Sequence, residues 1–116
     1  MIYDLIREQS TAELARKSGL DEKTIYKIKR NHPAKADTML KILNALGVNP
    51  EGNPIEDVKK AIKEREYSLY VISKISGVPV STIENFIYCG KGLLWHNMVA
   101  LGQTLGVKFY KDLEER

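Results

Sequence analysis

Displaced by 58 positions, the chain falls back on itself. Arg7-Glu8-Gln9-Ser10 lands on Arg65-Glu66-Tyr67-Ser68, Lys17-Ser18-Gly19-Leu20 on Ile75-Ser76-Gly77-Val78, and Thr24-Ile25 on Thr82-Ile83. Ile28 meets Phe86, and after one inserted residue Leu46-Gly47-Val48 meets Leu105-Gly106-Val107. Glycine and apolar positions that recur in this way mark two copies of one supersecondary unit. The 116 residues suffice for two very small units, expected at 1–52 and 53–116.

In the first copy, Thr11 to Arg30 reads as two short helices about a tight turn at Gly19. Ala15 is small where the second helix crosses the first, and Gly19 supplies the positive φ that such a turn needs. Ile25 and Ile28 lie three apart and share a buried stripe, which turns Lys23, Tyr26, Lys27 and Arg30 outward. Ser10 and Asp21 are expected N-caps, since a short oxygen acceptor satisfies free backbone donors. Ile2, Leu5 and Ile6 make an opening helical stripe. Asn31-His32-Pro33 ends the second helix of the turn, and a closing helix runs from Ala36 to Leu46 and stops at Gly47.

The connector from Val48 to Asn53 holds Pro50 and Gly52 and is too short for a free linker, so the two copies are expected to touch. Asn53-Pro54-Ile55-Glu56 combines a capping side chain, a proline at the first helical position and a glutamate placed to reach back. Val58, Ala61 and Ile62 follow as a buried face. The second turn motif spans Leu69 to Tyr88, with Ser73 in the place of Ala15. Gly90-Lys91-Gly92 leads to a closing helix over His96 to Leu105. In the tail from Val107 to Arg116, Phe109, Tyr110 and Leu113 fit either one more helical turn on the core or an interface.

A small residue, a glycine four later, apolar residues six and nine beyond it, and the closing stretch Thr38 to Val48 together resemble the helix-turn-helix of the lambda-repressor-like (Cro-type, XRE) transcriptional regulators. Gly77-Val78-Pro79-Val80-Ser81-Thr82-Ile83 is very like a common form of that family's turn and recognition-helix start. The resemblance implies an all-α fold of two tandem units, each of four to five short helices. It also implies a repressor-like regulator that lays recognition helices into the major groove of double-stranded DNA. Such a protein works in the cytoplasm, on the nucleoid. The positions at which the family contacts DNA fall on Asp21, Glu22, Lys23, Tyr26, Lys27 and Arg30, and on Pro79, Val80, Ser81, Glu84, Asn85 and Tyr88.

Those two faces differ. Lys23, Lys27, Lys29, Arg30 and Lys35 form a basic stripe from Lys23 to Lys35 with no acidic residue among them. Lys29 and Lys35 suit phosphates, and Lys23, Tyr26, Lys27 and Arg30, with Thr24 beside them, suit base edges. Asp21 and Glu22 oppose phosphate unless they cap the helix or accept from cytosine. In the second copy Ser81 and Asn85 suit a base edge and Val80 a thymine methyl, with Tyr88 and Lys91 beside them. Only Lys91 and Lys74 lie near to neutralise phosphates, while Glu84 opposes them, so the second unit is the weaker DNA binder. Both units on DNA, or the first alone, remain open. A built-in pseudo-dimer facing successive grooves about 34 Å apart competes with a homodimer through the second unit. Val80, Ile87, Tyr88 and Trp95 are the candidate contacts if that unit takes a protein partner. Two rival functions follow: an antitoxin or phage-type accessory regulator whose second unit binds a protein, and a protein-binding adaptor without DNA affinity.

Other classes find little support. No apolar run approaches the roughly 18 residues of a membrane span, and the N-terminus fails as a signal peptide. Cys89, the single cysteine, excludes an internal disulfide framework and fits a reducing compartment. It is expected as a partly buried thiol, without basic support for a nucleophile. His32 and His96 are isolated, so no metal site is expected. Glu64 and Glu66, two apart on a helix, point to different faces. Gly90-Lys91-Gly92 lacks the flanks of a phosphate loop. Tyr70 and Trp95 are expected in the core. No enzyme, cofactor or small-molecule ligand is expected, and the net charge of +3 permits nucleic acid without requiring it.

Overall fold

Short polar side chains open many of the helices and positive-φ glycines close several of them. The computed structural model describes residues 2–48, 50 and 52–109. Among them the chain runs through α1 (Ile2–Glu8), α2 (Thr11–Ser18), α3 (Glu22–Lys29), α4 (Ala36–Ala45), α5 (Pro54–Lys63), α6 (Leu69–Ser76), α7 (Val80–Tyr88) and α8 (Trp95–Leu105), with no strand. Ser10, Asp21, Asn53 and Ser68 accept from the backbone N–H three residues on, as N-caps do. Pro54 takes the first turn of α5. Four helices stand on each side of the connector, the lower of the two numbers expected.

Gly19 ends α2 at φ 77°, and its N–H donates to the Ala15 carbonyl at 3.0 Å. The Ser18 hydroxyl braces the same turn, donating to the Ala15 carbonyl and accepting from the Leu20 N–H. Gly77 ends α6 at φ 79° with its N–H 2.8 Å from the Ser73 carbonyl, and the Ser76 hydroxyl accepts from Val78. A Cβ is disfavoured at such φ, so a glycine holds each turn. The packing scheme recurs in part: α2 meets α3 and α4 and α1 meets α3, while α6 meets α7 and α8 and α5 meets α7, but α5 also packs extensively on α8, a contact that α1 and α4 do not match.

The buried apolar side chains form one continuous cluster that runs from Ile6 and Leu14 through Ile25, Ile28, Met39 and Ile42 to Val58, Ile72, Ile83, Phe86 and Met98. Helix α4 packs against α8. Just before each of them the backbones meet in an isolated antiparallel bridge between Lys35 and Leu94. Ala36 N–H donates to the Leu93 carbonyl at 2.8 Å, and Trp95 N–H donates to the Ala34 carbonyl at 2.7 Å. The contact between the two four-helix sets, expected from the short connector, is this seam.

Several expectations need correction. Tyr70 is 62% exposed, because at 100° per residue it lies about 200° around α6 from buried Ile72. Ile87 and Trp95 are core residues and offer no surface to a partner. Cys89 is exposed, as the C-cap one residue past α7. Glu64 is the C-cap of α5 and Glu66 lies in a bend beyond it, so the two do not share a helix. The closing helix of the second set begins at Trp95, one residue before His96. Phe109 packs on the core against the Trp95 ring, with centroids 6.1 Å apart. Tyr110 and Leu113 lie outside the described residues.

Gly102 on α8 makes room for Phe109: a Cβ there would stand 2.6 Å from Phe109 Cζ. The repeat matches Gly102 with Leu43, which is fully buried in α4, so the aromatic ring fills space that a side chain on the helix fills in the first set. Gly102→Ala is therefore expected to destabilise by about 1–3 kcal/mol through overpacking and to shift the fluorescence of Trp95. In a Phe109→Ala background the same change should become stabilising by about 1 kcal/mol, the ordinary helix-propensity gain. Denaturant titration of the four proteins checks the change of sign.

Candidate nucleic-acid interface

Helix α3 is only eight residues long, and Ile25 and Ile28 bury one side of it. Lys23, Tyr26, Lys27 and Arg30 consequently stand in solvent. Tyr26 and Arg30, one turn apart, are joined: an Arg30 guanidinium nitrogen donates to the Tyr26 hydroxyl at 2.7 Å, and the guanidinium carbon lies 5.5 Å from the ring centroid. The arginine is thus held near one geometry before any ligand arrives. Thr24 is half-buried beside a groove shared with Lys27, His32, Pro33 and Thr38.

Asp21 does not stand as a free negative charge before the basic face. Its carboxylate accepts from the Thr24 N–H at 2.8 Å and closes the first turn of α3. Bonds from the Thr24 side chain and backbone, with smaller pulls from Lys23 and Lys27, hold its carboxyl below the usual range. Glu22 remains exposed in that first turn. Lys29 lies elsewhere. At 40° around the helix from Ile25 it flanks the buried stripe, and its ammonium donates to the Gln9 carbonyl at the end of α1. Lys35 is exposed, but its backbone is the bridge residue of the seam.

Arg7 is a residue that sequence reasoning passed over except as part of the repeat. Its guanidinium donates to the Lys29 carbonyl at 3.2 Å, to Asn31 Oδ1, and to Asp4 at 3.1 Å. Asn31 takes φ 64° just beyond α3. Arg7 therefore fastens the carbonyl end of α3 to α1. Its repeat partner Arg65 donates instead to the Ile62 carbonyl on its own helix, at 2.8 Å. The signal was an arginine near a helix end, where it can reach neighbouring carbonyls.

On α7, Ser81, Glu84 and Tyr88 are exposed while Val80 and Asn85 are half-buried. The helix contains no lysine or arginine, against three lysines in α3. Pro79 precedes it without a side-chain capping bond. Lys91 is exposed, its N–H donating to the Asn85 carbonyl. Lys74 lies over the Tyr70 ring at 5.4 Å. No group of three or more His, Cys, Asp or Glu able to hold a metal occurs among the described residues. No described helix is long and apolar enough to cross a membrane.

Residues 6–51, which take in α2, α3 and α4, match the model of the Cro/C1-type HTH DNA-binding domain. No curated protein and no solved structure matches the chain.

The Asp21 cap carries a definite pH dependence. A carboxyl whose folded pKa is depressed contributes stability above its unfolded value, near 3.9, and loses it as pH falls through the lower folded value. Asp21→Asn keeps an oxygen acceptor but does not titrate. Acid unfolding followed by circular dichroism should show the variant close to wild type at pH 7 and losing less stability below about pH 4.

Proposed function

We propose that this chain is a sequence-specific, double-stranded DNA-binding transcriptional regulator of the repressor-like kind, active on the nucleoid in the cytoplasm. The observation that carries the reading is the exposed face of α3, where Lys23, Lys27 and Arg30 stand around Tyr26 in the segment similar to the Cro/C1-type domain. Cations there can bind guanine acceptor edges, and their positive charge draws the phosphate backbone. Asp21, engaged as a cap, leaves that face net cationic.

We read α5–α8 as a second helix-turn-helix unit of the same kind, with residues 1–52 and 53–116 as the two units. Its support is the recurrence of the glycine turn, the serine brace and the packing of α2 on α3 and α4 as of α6 on α7 and α8. Ser81, Asn85, Tyr88 and Lys91 form its DNA face, and it contributes less affinity because α7 has no cation. In the first unit Lys29 serves chiefly to hold α3 to α1, and the reading role rests on Lys23, Tyr26, Lys27 and Arg30, with Thr24 and Lys35 at the edges.

One observation favours a second role for α5–α8. On α6, Tyr70, Val71 and Ile75 face solvent beside Tyr67, where α2 carries Ala12, Glu13 and Lys17 with a Glu13–Lys17 ion pair at 3.1 Å. That apolar face suits a protein partner or a second copy, and it replaces the Ile87 and Trp95 surface expected earlier. Val71→Glu with Ile75→Lys rebuilds the α2 pair on α6. DNA retention should be unchanged and any self-association seen by sedimentation should fall.

Selection of sites from random duplexes tests the main reading. Lys27→Ala with Arg30→Ala should weaken binding about 10- to 100-fold or more and make its salt dependence shallower by about 1–2 in slope. Ser81→Ala with Asn85→Ala should cost less. Equal losses would reverse the ranking of the two faces, and failure to retain any duplex at low salt would leave the adaptor reading.

A further inference from the structure

We propose that one chain takes one bipartite duplex site whose two halves are unlike, so that the ligand lacks the dyad symmetry that a homodimer requires. The inference rests on the DNA-binding reading and deepens it. Its starting point is the seam. With the one-residue insertion, Ala34, Lys35 and Ala36 correspond in the repeat to Leu93, Leu94 and Trp95. The bridge therefore pairs a residue with its own counterpart. Exchanging the two strands carries the Ala36 N–H to Leu93 carbonyl bond onto the Trp95 N–H to Ala34 carbonyl bond. An antiparallel bridge of this kind contains a local two-fold axis.

Helices α4 and α8 are counterparts and pack against each other beside that axis. Since α2 joins α3 to α4 as α6 joins α7 to α8, we take the axis at the seam to carry α3 onto α7 as it carries α4 onto α8. Neither outward face is spent on the seam, for Tyr26 is 53% and Tyr88 66% exposed. Ala34, Ala36, Leu93 and Trp95 are buried members of the continuous apolar cluster, so the relation is fixed by packing as well as by two hydrogen bonds. Two reader helices related by a two-fold axis match two half-sites about 34 Å apart on one side of B-DNA. At 44 Å in its long dimension the protein is large enough to hold two reader helices that far apart.

The backbones share the two-fold relation, but the side chains do not. The face with Lys23, Lys27 and Arg30 calls for guanine acceptor edges, whereas Asn85 and Val80 call for adenine and a thymine methyl. A palindrome would present one of these faces with the wrong half.

The test uses the full chain. Duplexes selected by the wild type are analysed for sequence, spacing and stoichiometry, the last by native mass spectrometry. One chain per duplex and two unlike halves about 10 base pairs apart are expected. Inserting 5 base pairs between the halves should weaken binding at least 10-fold, because the second half then faces away. Ala36→Pro probes the seam itself. Position 36 is the first residue of α4, where proline is accepted, and Lys35 at ψ 150° already has the conformation that precedes proline. The substitution removes one seam donor. It should weaken binding to the bipartite duplex about 10-fold while leaving a duplex that carries only the first half bound as by the wild type. The spacing series with wild-type protein stands independently should Ala36→Pro fail to fold. A palindromic site with two chains would overturn the proposal, as would a single half-site indifferent to spacing. Either of those outcomes leaves the DNA reading intact, whereas no retained duplex removes both.

Discussion

Two isoleucines on an eight-residue helix carry most of the structural burden of the first four helices. Ile25 and Ile28 are sealed from water against α1 and α2, and that burial alone fixes the rotation of α3 about its axis. The outward direction of Lys23, Tyr26, Lys27 and Arg30 follows from it. An isolated helix of this length would not persist in water. Its ends are accordingly tied: Asp21 closes the amide end, Arg7 and Asn31 the carbonyl end, and Lys29 reaches back to α1. Charged side chains that look alike in the sequence are thus divided between an outward face and fastening.

The second set of helices keeps the backbone solution and changes its surfaces. Gly77 and Ser76 repeat the turn of Gly19 and Ser18, and Val58, Ile72, Ile83 and Phe86 supply the buried contacts. Outside, an ion-paired face on α2 becomes an apolar one on α6, and a cationic face on α3 becomes a nearly neutral one on α7. Both sets bury matched positions in their last three helices, such as Leu14 and Ile72, Ile25 and Ile83, Ile28 and Phe86, and Met39 and Met98, whereas buried Ile6 of α1 falls on the exposed C-cap Glu64. The outside is under no such demand and has diverged further, while inside the second set Phe109 over Gly102 takes the place of Leu43.

Most of the helices, caps and turns were legible in the sequence because they depend on local chemistry. Ser10, Asp21, Asn53 and Pro54 stood where caps and first turns need them, and two glycines marked the turns. The candidate site was legible in part: periodicity pointed Lys23, Tyr26, Lys27 and Arg30 outward. Helical angle places Lys29 near the buried stripe and Tyr70 opposite Ile72, whereas residue type alone suggests a phosphate contact and a core ring. Three features depended on meetings that helical periodicity does not describe, two of them between groups far apart in the chain. The Arg7 tie crosses from α1 to α3, the bridge joins Lys35 to Leu94, and Phe109 enters a gap left by Gly102. No local pattern encodes such meetings.

The seam also bears on dose. A regulator that must first pair with a second copy has an occupancy that climbs with the square of its concentration when scarce, which gives a threshold. On the proposed reading, in which two DNA-binding units are joined within one chain with a continuous buried cluster behind them, no such prior equilibrium precedes binding. Occupancy then rises in direct proportion to the number of molecules made, and the response is graded, with a Hill coefficient near one. Such a device suits steady adjustment better than an all-or-none decision.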